Sequence, residues 1–266
     1  MSLPNTFLSI QSLKKAAKQI ALTKDIHLSQ ALDLVANDYG FTHWALLVKY
    51  FNSIRINNIE SLWQTFLQGE MLLLSAPEGA GKLSFALNLT AHAIQKNSPV
   101  KYFSMHVNAS FIFERLSKIA DLNLVGDWQQ RGYLVVKENI FDQKTLIEEI
   151  KNTSPGTLLI VDYLQAIKSN GDGEPYHNFL QETKLIVQQH ASRVLILSQV
   201  NKEVSLDSLD YLAGGRSLGR HFSHAIHLEQ QQLENKEQRG IILLKSIHYQ
   251  KQKSLLQFNK ENYRFV

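Results

Sequence analysis

The chain has 266 residues, 44% of them hydrophobic and 20% charged, a balance that belongs to a globular protein and excludes a disordered or fibrous one. Zero cysteines exclude disulfides, thiolate catalysis and Cys-ligated zinc. The net charge of +4 is compatible with a nucleic-acid partner without demanding one. No apolar run approaches the ~20 residues that span a bilayer, and the first six residues lack a basic stretch followed by an apolar one, so a cytoplasmic chain with no membrane partner is expected.

Taken in order, residues 1–55 read as a small N-terminal helical module. Leu8, Leu13, Ala16, Ala17, Ile20 and Leu22 form an apolar stripe at helical spacing. Ser29 is a candidate cap for a second helix over 30–39, stopped by Gly40. Thr42 is one for a third over 43–51, with Trp44, Leu46 and Leu47 facing inward. Residues 1–58 carry Lys14, Lys15, Lys18, Lys24, Lys49 and Arg55 against Asp25, Asp33 and Asp38, so most of the net charge lies here. Two readings stand: a DNA-contacting three-helix unit, or an amphipathic helix with Lys14, Lys15 and Lys18 as its wet face.

From Ile59 the pattern alternates. Strands are predicted over 71–75, 100–105, 133–136, 157–161 and 193–197, with helices over 82–95, 109–120, 143–152 and 176–190 and a polar loop at 169–175. That order predicts, for residues 56–266, an α/β domain with a mostly parallel sheet flanked by helices. Strand-like runs at 225–228, 240–247, 254–258 and 263–266 predict antiparallel C-terminal strands, with the Gln/Glu-rich stretch 229–238 as a solvated turn.

The chain turns on residues 72–89. An apolar strand runs into Ala76-Pro77-Glu78-Gly79-Ala80-Gly81-Lys82 and then a helix. Gly79 and Gly81 let backbone amides turn around an anion, the helix aims its positive end at the same place, and Lys82 reaches β- and γ-phosphates. The spacing approaches the P-loop pattern G-x-x-x-x-G-K-[ST], with Ala76 at the first glycine and Leu83 at the hydroxyl position. Leu83 has no oxygen for Mg2+, and Ser84 is turned about 100° round the helix from it. Pro77, Glu78, Gly79, Ala80, Gly81, Lys82, Leu83 and Ser84 are the candidate contacts to ATP or ADP. The alternative is a strand–turn–helix whose glycines only tighten the turn.

Two further strands end in polar groups. Leu158-Leu159-Ile160-Val161-Asp162 places a carboxylate at the edge where parallel sheets bind ligands, which makes Asp162 the candidate Mg2+ ligand, through water. Leu195-Ile196-Leu197-Ser198 leads to Gln199, placed to sense a γ-phosphate or an attacking water. Lys82, Asp162 and Gln199 are the candidate catalytic residues. The segment 201–220 follows, with Lys202, Arg216 and Arg220 as candidate DNA contacts; its acids Glu203, Asp207 and Asp210 lie in its first half. Only Tyr211 and Phe222 offer stacking surfaces nearby, so little base preference is expected.

The string Val161-Asp162-Tyr163-Leu164-Gln165 resembles the corresponding segment of DnaB-type replicative helicases. The loop 76–82 with Phe85-Ala86-Leu87-Asn88-Leu89, the strand Val100-Lys101-Tyr102-Phe103-Ser104-Met105 and Leu197-Ser198-Gln199-Val200-Asn201-Lys202 are similar to segments of the same family, which also starts its P-loop with Ala. Gly214-Gly215-Arg216-Ser217-Leu218-Gly219 resembles RecA-type ATPases more generally. The resemblance covers about residues 67–266 and implies a RecA-like P-loop motor domain; residues 1–55 do not resemble that family's N-terminal domain. It also implies single-stranded DNA as a partner, and a homo-oligomer or a helicase as another.

The departures from the family carry as much information. His106 stands where the family places a catalytic Glu, Leu83 replaces the P-loop hydroxyl, and Lys245-Ser246-Ile247-His248-Tyr249 contains no arginine where active hexamers supply a finger to the neighbour. A lost finger alone costs about 10³ to 10⁵ in turnover. The expectation is therefore nucleotide binding, weak Mg2+ use and weak or absent hydrolysis. The alternatives are a working helicase or translocase stimulated by single-stranded DNA, and a non-enzymatic regulator using the fold as an oligomerisation scaffold.

Overall fold

The computed structural model describes residues 10–168, 176–200, 218–233, 236–246 and 251–265. The described parts of Met1–Arg55 and Ser246–Lys251 form one compact unit, and those of Ile56–Lys245 and Gln252–Val266 another.

The smaller unit holds three helices, α1 (Ile10–Lys24), α2 (Leu28–Asp38) and α3 (Trp44–Ser53). Leu13, Ala17, Ala31, Val35, Ala36, Leu47 and Phe51 are buried between them, and Lys14, Lys15 and Lys18 are exposed. Leu22 and Leu46, expected inside, are 84% and 46% exposed. Leu22 is nine residues beyond Leu13 and so about 180° round the helix, and Leu46 is about 100° from buried Leu47. The predicted caps also move. The cap positions are His27 and His43, and the α3 amide of Trp44 donates to Asp33 Oδ1 of α2 at 2.7 Å. That bond is the main cause holding the Asp33 carboxyl below its usual value. A cap supplied by a neighbouring helix leaves no local sequence signature.

The larger unit begins with a short helix absent from the sequence reading, α4 (Ile59–Thr65), capped by Asn58 Oδ1 accepting from the Ser61 amide. Then come β1 (Glu70–Ala76), α5 (Lys82–Gln95), β2 (Val100–Ser104), α6 (Ala109–Ile119), α7 (Leu122–Gln130), β3 (Leu134–Glu138), α8 (Gln143–Lys151), β4 (Leu158–Asp162), a 3-10 turn (Leu164–Ala166), α9 (His177–Gln189), β5 (Arg193–Gln199), β6 (His224–Leu233), β7 (Lys236–Ser246), β8 (Gln252–Asn259) and β9 (Arg264–Phe265). Among the described residues they form one nine-stranded sheet in the order β3-β2-β4-β5-β1-β6-β7-β8-β9. Every pairing from β3 across to β6 is parallel, and β7–β8 and β8–β9 are antiparallel. β6 still runs parallel to β1, so the antiparallel part starts beyond it. The stretch 229–238 is mostly strand rather than turn, because β6 continues to Leu233 and β7 resumes at Lys236.

Near-continuous apolar runs make the central strands double-sided, as a sheet covered by helices on both faces requires. Met71, Leu73, Leu159, Val161, Val194 and Ile196 pack with Leu146, Ile147 and Ile150 of α8 and Phe179, Leu180 and Val187 of α9. The intervening Leu72, Leu74, Ile160, Leu195 and Leu197 are equally buried, and α5, whose residues 84–91 are all buried, packs against β1, β2 and β4. Truncating one such side chain to Ala costs about 2–5 kcal/mol. This packing fixes where the carboxyl ends of β4, β5 and β1 emerge.

Candidate nucleotide-binding site

Register places the site. Ala76 is paired with Gln199 across β1 and β5, and β4, the neighbour of β5, ends at Asp162 on the same edge of the sheet. From Ala76 the chain turns tightly, with the Ala80 amide donating to Pro77 O at 3.3 Å. Gly79 and Gly81 have φ of 76° and 99°, the left-handed region that side chains disfavour. Gly81 is the N-cap of α5, whose first-turn amides face the loop, the arrangement that receives an anion. Glu78 and Gly79 are exposed, Ala80 is buried, Pro77, Gly81, Lys82 and Leu83 are half-buried, and Ser84 is buried.

Lys82 Nζ donates to Ala76 O at 2.8 Å and Pro77 O at 3.0 Å, holding the loop closed on itself. Burial pushes the Lys82 ammonium below its usual value, and the charges of Asp162 and Glu78 oppose that. Asp162 is 9% exposed, and its Oδ2 accepts from the Tyr102 hydroxyl at 2.8 Å. Burial raises the Asp162 carboxyl above its usual value, against the Tyr102 hydrogen bond and the electrostatic influence of His106 and Lys82. Burial, and then Asp162, push the Tyr102 hydroxyl well up. Gln199 is exposed at the end of β5, and His106 is exposed with its ring 6.0 Å from that of Tyr163. A cleft of about 520 Å³ brings these together: Gly79, Gly81, Lys82, Leu83, Ser84, His106, Asp162 and Gln199 all line it.

Sequence reasoning assigned no role to Gln165, which supports the site, or to Arg115, Arg239 and Lys260, which line it. Gln165 spans the ends of β4 and β5: its Nε2 donates to Ser198 Oγ at 2.8 Å and Gln199 O at 2.9 Å, and its Oε1 accepts from the Gln199 amide at 3.2 Å. It therefore positions the Gln199 backbone. Arg239 of β7 is 3% exposed, donates from Nε to Ala80 O at 3.1 Å, and lies with Cζ 4.8 Å from the Phe258 ring centre. It sits in a polar stretch, but two-residue alternation puts it in phase with buried Ile241 and Leu243, and that was the available signal.

Of the remaining predicted residues, Arg220 is exposed with Nη2 2.9 Å from His177 Nδ1, at the start of α9. Lys202, Arg216 and His248 lie outside the described residues. No described helix is long and apolar enough to cross a membrane.

The cradle suits a polyphosphate: two left-handed glycines, a helix N-terminus and a half-buried lysine converge. It suits Mg2+ poorly, because Leu83 offers no oxygen and one oxygen of the Asp162 carboxylate is engaged by Tyr102.

The fold is RecA-like and resembles that of DnaB-type helicase ATPase domains. Among solved structures the chain is similar to the ATPase domain of G40P, at 16% identity and a TM-score of 0.67 over 84% of this chain and 96% of that one. It is similar to a DnaB-like replicative helicase whose structure was described with its interactions with primase, at 16% identity and TM-score 0.66, covering 96% of this chain and 76% of that one. The RadB recombinase is similar too, at 18% identity and TM-score 0.58, covering 74% and 90%. No family profile and no curated protein matches the sequence.

Proposed function

We propose that this chain is a nucleotide-binding RecA-fold protein with weak or absent hydrolysis, acting on DNA or together with a helicase in replication or recombination. One observation carries the reading: Lys82, Asp162 and Gln199 meet a glycine cradle in a single cleft, whereas the positions facing that cleft where a metal-holding hydroxyl and a base would stand are Leu83 and His106. The similarity to a DnaB-like helicase and to a recombinase supports DNA and helicase-type partners, and residues 1–55 are proposed as a separate domain.

The test titrates ATP and ADP into the wild type and Lys82→Ala by calorimetry and measures turnover with and without single-stranded DNA. Removing a hydrogen-bonded cation facing phosphate costs about 1.5–3 kcal/mol, so the variant is expected to bind at least about tenfold more weakly. Wild-type turnover is expected far below ~1 s⁻¹. Turnover above that, stimulated by DNA, would establish a working translocase. Equal affinity in both proteins would dismiss the cradle and leave the fold as an oligomerisation scaffold.

A further inference from the structure

The cleft is poor in metal ligands and rich in fixed positive charge. Lys82, Arg115, Arg239 and Lys260 line it, against the carboxylates of Glu78 and Asp162. Two of these cations come from the C-terminal part of the same chain, Arg239 from β7 and Lys260 from the turn after β8. Arg239 is anchored to the loop itself through Ala80 O, and a Cβ built on Gly81 would lie 3.7 Å from its Nε, so the guanidinium stands at the turn that cradles phosphate. Lys260 follows β8 in a turn closed by the Glu261 amide donating to Asn259 Oδ1 at 2.9 Å.

From this arrangement we infer that the site takes a nucleoside di- or triphosphate without a divalent cation, the charge a metal would bring being supplied in cis by Arg239 and Lys260. The inference rests on the nucleotide reading and deepens it. Guanidinium groups match phosphate oxygens in a fixed fork and need no proton adjustment. Attraction between a buried cation and an anion is strengthened by the low local dielectric, and burial without an anion is what disfavours the charge. Burial lowers both the Lys82 and Arg239 groups from their usual values, a penalty that a bound polyphosphate relieves.

The experiment titrates ADP and ATP into the full chain by calorimetry, once with excess Mg2+ and once with EDTA. The expected result is the same affinity in both, within about threefold. Tightening of tenfold or more by Mg2+ would overturn the inference while leaving the nucleotide site intact. Binding in neither buffer would overturn the nucleotide reading and the inference with it. Lys260 is exposed, so Lys260→Glu leaves the core untouched; reversing that charge is expected to weaken ADP about tenfold in EDTA. Arg239→Lys keeps the charge but loses the Nε donor that reaches Ala80 O and the planar fork that would meet phosphate oxygens, and is expected to weaken ADP at least as much. Unchanged affinity in both variants would overturn the assignment of the charge to these residues.

Discussion

The two halves of the cleft are built differently. The binding half is made of backbone and topology: left-handed glycines 79 and 81, the start of α5, and the ends of β1, β4 and β5 held in register by buried apolar strands. The hydrolytic half of a P-loop ATPase depends on single atoms, a hydroxyl after the lysine, a carboxylate after the second strand, a guanidinium from a neighbour. Leu83 and His106 both line the cleft, and on the proposed function they stand at two of those places. A cradle set by main chain and packing stands without the chemistry, because nothing in the sheet depends on the Leu83 or His106 side chain being the catalytic one. The contrast has measurable consequences of different size.

The largest concerns the chemical half. On the proposed function, Leu83→Thr would supply the hydroxyl and His106→Glu the carboxylate that a hydrolysing site uses. Groups that act as a unit are non-additive, so each single change is expected to alter turnover less than about threefold, while the double variant gains at least about tenfold with Mg2+. A positioned base is worth about 10² to 10⁴ when the rest of the site is present. Steady-state phosphate release with Mg2+ and with EDTA measures this. A double variant no faster than the wild type, or equally fast in EDTA, would place the deficit outside these two positions.

What was legible in the sequence follows the same division. The predicted helix over 82–95 matches α5 (Lys82–Gln95), and strands β1, β2, β4 and β5 were readable, because apolar runs punctuated by glycine and polar ends are strong local signals. α4 and α7 were not: the first has only seven residues, and the second contains Gly126 and follows α6 closely. The polar ends of β6 and β7 looked like a turn because Gln and Glu favour strands weakly, and sheet pairing overrode that preference. In the site, Lys82, Asp162 and Gln199 stood out by position at strand and loop ends. Arg239 did not, since its burial comes from β7 lying against the loop, a long-range fact visible locally only as alternation with Ile241 and Leu243.

A middle-sized effect tests the binding half. Gln165 makes three hydrogen bonds to the end of β5. Gln165→Ala leaves the buried Ser198 hydroxyl without this donor, while the exposed end of Gln199 can turn to water, and is expected to destabilise the chain by about 1–3 kcal/mol in urea unfolding. ADP affinity is expected to change less than about threefold, because the cradle itself is carried by the loop and α5. Loss of ADP binding with unchanged stability would show that the end of β5, rather than the loop, carries nucleotide affinity.

The smallest expected effect concerns DNA, and it separates a partner from a neighbour. Arg220 stands beyond the cleft, exposed, beside His177, whose Nδ1 is in turn 2.8 Å from His221 Nε2. The cluster therefore joins the start of α9 to the segment that leads into β6, and presents a guanidinium at its surface. A phosphate contact there would be sequence-independent and salt-sensitive. With Arg216, which the sequence places on the same basic half of the segment, it offers two such contacts. Changing both to Ala is expected to flatten the slope of log K against log[salt] for single-stranded DNA by about 1.4, at ~0.7 per contact. The change in affinity at one salt concentration is modest, so the slope is the measurement that decides. An unchanged slope accompanied by a shift in oligomer size would assign the arginines to the subunit interface, and Arg220→Ala alone would then show whether the His177 cluster is the surface involved.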